Sequence, residues 1–145
     1  ANPLPDGSYD TWSMQLEEGP VATPFEHRPI ATELAMCQRY FTRITSSGSK
    51  GIASGYARGT VEARFTSGLP TTMRALPTFT PSAVNKFAVA YSNTGAVCAT
   101  LTASIQEDRR TVLFAADASG GVLTAGMGVG LIGNGAGSLD FNAEL

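Results

Sequence analysis

Apolar and polar residues alternate in short runs along most of the chain, and each run ends in glycine, proline or a cluster of small polar residues. Near the N-terminus, Trp12, Met14 and Leu16 alternate with Ser13, Gln15 and Glu17, the period of a half-buried strand within "TWSMQLEEG". Further strands are predicted in "RYFTRITS", "GIASGYA", "TVEARFT", "TTMRALPTFT", "KFAVAYS", "GAVCATLTASI", "RRTVLFAA", "VGLIG" and "GSLDFNAEL". The clusters "SSGSKG", "TSGLP", "SNTGA", "QEDRR", "DASGG" and "GNGAG" separate them as turns, with Asp108 at a hairpin tip.

Only "ATELAMCQRYF" carries the helical period. Leu34, Cys37 and Phe41 recur at spacings of three and four, Thr32 is placed to cap, and Glu33 sits in the first turn, where the helix dipole favours negative charge. This helix is expected to pack Leu34 and Cys37 on the sheets and to turn the incoming chain into the first long strand. Before it, Pro3, Pro5, Pro20, Pro24 and Pro29 fix φ and remove backbone donors, so residues 1–30 read as an extended N-terminal arm. Residues 31–145 read as one mainly β domain, an antiparallel β-sandwich or jelly-roll-like fold led by the short helix, because short strands follow one another without long helical interludes. Much of the apolar content of "FAVAYS" and "AVCATLTASI" is alanine. Small inward residues bring sheets or neighbouring subunits close, a pattern that suits an oligomer and a thin monomeric sandwich alike.

Composition narrows the function classes. The chain of 145 residues is 43% hydrophobic but only 15% charged, with a net charge of −2; disorder needs the reverse. Its ten basic residues are scattered, so no stripe matches a phosphate backbone and nucleic acid is not an expected partner. No apolar run approaches the ~18 residues of a membrane-spanning helix, and "ANPLPDGSYD" has neither a basic nor an apolar region of an export signal. A start at Ala1 fits both a small protein that lost its initiator methionine and a piece of a longer one.

Candidate chemistry is sparse. The stretch "FEHRPIATELAMCQRYF" holds the single histidine, His27, beside Glu26, Glu33 and Cys37, but a zinc-protease helix needs a second histidine four residues on. Cys37 and Cys98 with one histidine cannot assemble a structural zinc site, and two cysteines make no disulfide framework; both are expected to be reduced and buried. A Cys-His nucleophile would need His27 to meet Cys37 or Cys98 in space; a surface or hydrogen-bonded structural histidine is the expectation. Gly128, Gly130 and Gly133 spell G-x-G-x-x-G, yet Gly135 and Gly137 follow where a dinucleotide-binding motif requires a helix, so a strand and turn are expected. Among the carboxylates Glu17, Glu18, Glu62, Asp117 and Asp140 no spacing singles out a glycosidase pair. Arg74, within an apolar run, is expected to be partly buried against a carboxylate or carbonyls. No catalytic residue, metal or cofactor is expected.

Three segments carry a family likeness. "MQLEEGPVATPFEHRPIATELAMCQRYF" resembles a "QLE-G-ATPFE-R" stretch leading into "EL--CQRYY" in bacteriophage tail-fibre and tail-appendage proteins, where it joins an upstream carbohydrate-binding-like module to the terminal domain. "GLPTTMRALPTFT" resembles their "FP--MR--PT-T" segment, and "LTAGMGVGLIGNGAGSLDFNAEL" their closing "--FDAEL". The order is the same and most of the chain is covered; the departures are Leu69 before Pro70 and a shorter aromatic run at Tyr40 and Phe41. The resemblance implies a β-sandwich at the end of a virion appendage, commonly trimeric, whose loops meet a bacterial surface glycan or protein, and no catalytic residue. Expected partners are two further copies, other virion proteins through the arm, and that surface, with synthesis in the host cytoplasm. Tyr91 with Asn93 and Thr94 is the candidate saccharide platform. The rival expectation is a purely structural role in capsid decoration or the baseplate.

Overall fold

The computed structural model describes residues 16, 18–21, 23–24 and 27–144. In chain order these form α1 (Ile30–Gln38), β1 (Phe41–Ser46), β2 (Gly51–Ala57), β3 (Glu62–Gly68), β4 (Thr78–Pro81), a short 3-10 turn (Val84–Lys86), β5 (Phe87–Tyr91), β6 (Thr94–Ile105), β7 (Thr111–Ala118), β8 (Gly128–Gly133) and β9 (Gly137–Asn142). Among the described residues the fold is mainly β with one short helix, and the strand pairs are all antiparallel.

Six strands close into a barrel in the order β2-β3-β7-β6-β5-β8, and β1-β9-β4 form a separate three-stranded sheet. Closure leaves those six strands no unpaired edge. Period-2 alternation decides what enters the barrel: Val112, Phe114, Ala116 and Ala118 of β7 are buried while Leu113 is exposed. Phe65, Phe87, Val89 and Leu131 complete the interior at 1% exposure or less. The small sheet seals it, since Phe79 of β4 and Phe141 of β9 lie 5.9 and 6.3 Å, centroid to centroid, from the ring of Phe114. On its opposite face Arg43 donates from Nε and Nη2 to the two carboxylate oxygens of Asp140, at 2.8 and 2.6 Å. That bond holds the Asp140 carboxyl below the usual carboxylate range, but the pair is open to solvent and adds little stability.

The β6–β7 connection is the expected hairpin. Asp108 accepts from the Thr111 hydroxyl at 2.6 Å and from the amides of Thr111 and Arg110, which lowers its pKa. Most of "TTMRALPTFT" is not strand: β4 begins only at Thr78, and the preceding loop pairs instead with the β6–β7 turn through Leu69 N–H to Arg110 O and Met73 N–H to Arg109 O. Pro70 and Pro77 explain the break, since neither can donate to a ladder. Arg74 in this loop is exposed, with its guanidinium 5.1 Å from the Tyr40 ring centroid, contrary to the expected burial.

The helix differs most from expectation. Its N-cap is Pro29, whose carbonyl accepts from the amides of Thr32 and Glu33, and no side chain caps it, so Thr32 lies inside the first turn. It ends at Gln38, ahead of Phe41, and has no buried residue. Leu34 is 55% exposed and Cys37 is exposed too, so neither packs on the sheets. The helical period was legible, but burial depends on which element lies opposite, and here the helix stands off the barrel. The strand expected within "TWSMQLEEG" lies largely outside the described residues, as do most of the arm and Glu17; Glu18, Gly19 and Pro20 form a bend.

The cysteines give a direct chemical check. Cys98, 4% exposed in the core, has its thiol pKa pushed up to about 11 by burial and, secondarily, by the charge of Asp117. A disulfide reagent at pH 8 is expected to label exposed Cys37 rapidly and buried Cys98 at least about a hundredfold more slowly until denaturant is added, because the thiolate is the reacting form. Two equally fast thiols would contradict the burial of β6.

Candidate functional site

An open concavity lies outside the barrel, across β6, β5, β8 and β2. The register fixes its floor. Val89, Ala96, Leu131 and Ala53 point inward in one cross-strand row, so their neighbours Ala88, Ala90, Gly95, Val97, Gly130, Ile132 and Ser54 present the outer face. Alanine and glycine fill most of that face, and it sinks into an open groove of about 850 Å³, within the range of small-molecule sites. A Cβ built at Gly128 would meet nothing within 4 Å, and one at Gly130 would come no closer than 3.8 Å to any neighbour. Strand glycines with open space above them let a ligand approach the sheet itself.

Hydroxyls and amides supply the rim: Ser49, Ser92, Asn93, Thr94 and Asn134, with Ser54 on the floor. Asn134 is oriented by donating from Nδ2 to the Asn85 carbonyl at 3.1 Å, and Thr94 Oγ1 donates to the Tyr91 carbonyl at 3.1 Å. Among the described residues none that lines the groove carries a charge. The β5–β6 hairpin turns through Ser92 and Asn93, both at positive φ, 38° and 65°. That pair of left-handed residues gives the twist a two-residue hairpin needs, at a cost in strain because neither is glycine. It places Asn93 and Thr94 at the rim.

The structure therefore brings Tyr91, Asn93 and Thr94 to one groove, with Tyr91 half-buried and also packed against the core cluster at its strand end. Ser49 and Asn134 were not singled out from the sequence; they stand in the turn clusters "SSGSKG" and "GNGAG", and pairing of β2 and β5 with β8 was the missing information. The G-x-G-x-x-G glycines are strand β8, as expected, and divide by role. Gly128 and Gly130 floor the groove, whereas a Cβ at Gly133 would collide with the Gly48 carbonyl and come within 2.8 Å of Ser46 Cβ.

The carboxylates do not assemble in the groove. Glu62 and Asp117 face each other across β3 and β7, but Arg64 Nη2 is 2.6 Å from Glu62, and Asp117 accepts from Thr100 Oγ1 at 2.8 Å. Asp140 is held by Arg43 on the other sheet. His27 is exposed. Among the described residues no three of His, Cys, Asp and Glu cluster as metal ligands, and no helix is long and apolar enough to cross a membrane. No family model, curated protein or solved structure matches the chain.

Proposed function

We propose that this chain is a bacteriophage virion protein, a tail-fibre-type β domain that recognises a saccharide of the bacterial surface through the groove on β6, β5, β8 and β2. The observation that carries this reading is the groove's lining, uncharged hydroxyls and amides around a glycine and alanine floor, which suits a ligand rich in hydroxyls and without charge at that point. The three sequence segments that resemble tail-fibre domains support it independently. In this reading the barrel with its facing three-stranded sheet is a closed variant of the jelly-roll-like sandwich, and the domain binds without catalysis, metal or cofactor. It acts on the virion as a homotrimer, with the arm holding other virion proteins.

A clean test exists because Gly130 has room for a side chain. Gly130→Gln is expected to fill the groove and weaken binding to host cells, or to their surface saccharide, at least tenfold, while Tm stays within about 2 °C, as for other surface substitutions. Unchanged binding would remove the groove from the account.

One observation favours the second reading, capsid decoration or a baseplate role. Ile30, Leu34 and Met36 of α1 are 85, 55 and 44% exposed, and a nine-residue helix draws stability mainly from tertiary packing, so an assembly partner is called for. Native mass spectrometry with a cell-binding assay separates the two: a trimer that ignores cells but binds emptied capsids belongs to the second.

A further inference from the structure

Next to the groove, on the far side of β2, lies a smaller cleft of about 450 Å³ lined by Tyr56, Arg58, Arg64, Thr66 and Leu113. Gly55 borders both concavities. The ladder makes them continuous: Gly128 of the groove is the register partner of Tyr56, and Tyr56 is the partner of Arg64. Successive strands are spaced by about 4.8 Å, so these three residues form one row about 10 Å long across the outer wall.

The cleft differs from the groove in chemistry. Tyr56 is 55% exposed, an aromatic side chain presented to solvent beside two guanidinium groups. One carboxylate, Glu62, serves both through a single oxygen, Oε1, at 2.6 Å from Arg64 Nη2 and 3.6 Å from Arg58 Nη1. Asp117, opposite Glu62 on β7, accepts from Thr100. Neither carboxylate lines the cleft, and both arginines do. Each guanidinium has five donors in a planar fork suited to bidentate oxyanion binding, so donors facing the cleft outnumber acceptors.

We propose that this cleft is a second subsite of the same binding surface, taking an oxyanion, carboxylate or phosphate, on a saccharide unit that follows the one in the groove. Tyr56 lies under the ring of that unit and Arg64 with Arg58 binds its charge. The inference rests on the saccharide reading of the groove and adds to it that the ligand is an acidic oligosaccharide laid across β2.

The test is a titration of the full chain with three oligosaccharides of equal length: neutral, uronate-containing and phosphate-substituted. Wild type is expected to bind one of the acidic pair about tenfold or more tightly than the neutral one, the range of a charge-assisted hydrogen-bonded contact, and to lose that advantage as salt rises. Arg64→Gln is expected to erase the acidic preference and leave neutral binding unchanged. Tyr56→Ala is expected to weaken the acidic ligands, and Gly130→Gln to weaken all three. Which acid is preferred distinguishes a uronate from a phosphate source. Loss of binding in Gly130→Gln with no effect of Arg64→Gln or Tyr56→Ala would overturn the second subsite and leave the groove standing. No binding of any saccharide, with host-cell binding indifferent to Gly130→Gln, would overturn the groove reading and the subsite with it. Thermal unfolding of each variant confirms that losses are local.

Discussion

Replacing Phe114 with alanine is expected to destabilise the protein by about 4 kcal/mol, the range for emptying a fully buried aromatic site. Phe114 has no solvent exposure and joins the two sheets. Its ring stands at 70° to those of both Phe79 and Phe141, edge-on contacts that add to the burial itself. The three rings come from β7, β4 and β9, so the cavity would open at the seam between barrel and small sheet, where two layers would have to move together to refill it. Against a total stability of about 5–15 kcal/mol for a domain, the loss should appear in urea unfolding as a midpoint far below wild type. Phe114→Leu, which keeps most of the volume, should cost only about 1.5 kcal/mol or less. Equal midpoints for the alanine variant and wild type would mean that the small sheet does not seal the barrel.

The second large effect comes from a single methyl group. Gly55 sits in β2 opposite Phe65, and a Cβ there would overlap the carbonyl oxygen of Arg64, with the carbonyl carbon at 2.7 Å and Phe65 Cα at 2.8 Å. All three atoms are backbone, so no rotamer change relieves the overlap, and β2 must shift away from β3. Gly55→Ala is expected to cost about 3 kcal/mol, at the upper end of overpacking effects, visible as a lowered thermal midpoint. Gly130→Ala is the control. It has ordinary space around its Cβ, and by restricting the unfolded chain it should be neutral or slightly stabilising. If the two variants unfold at one temperature, the close approach of β2 to β3 is wrong.

These contrasts mark what the sequence could express. Strand positions were legible because glycine and polar turn clusters bound each run; "GIASGYA" is β2 residue for residue, and "VGLIG" lies within β8. The loop before β4 reads as strand because Met73, Ala75 and Phe79 fall at even spacing, as strand residues do, while Pro70 and Pro77 deny the ladder. The helical spacing of Leu34 and Cys37 predicts a buried face, but period reveals a face and not what covers it, and both are exposed. Barrel closure was hidden for a similar reason: β8 must pair with both β2 and β5, and nothing local to "GVGLIG" names two partners so distant in sequence. The groove inherits that blindness. Asn93 and Thr94 were identifiable as turn residues, but the open floor at Gly128 and Gly130 exists only once register sends one set of side chains inward and the other out.

The central claim, that the outer wall of β6, β5, β8 and β2 is the recognition surface, is tested most directly by amide chemical-shift mapping as host-surface oligosaccharide is added to the protein. The largest shifts should fall on Asn93, Gly95, Gly128, Gly130 and Ser54, with those of the β1-β9-β4 sheet unmoved. Shifts confined to that sheet or to α1, or none at saturating saccharide, would contradict it.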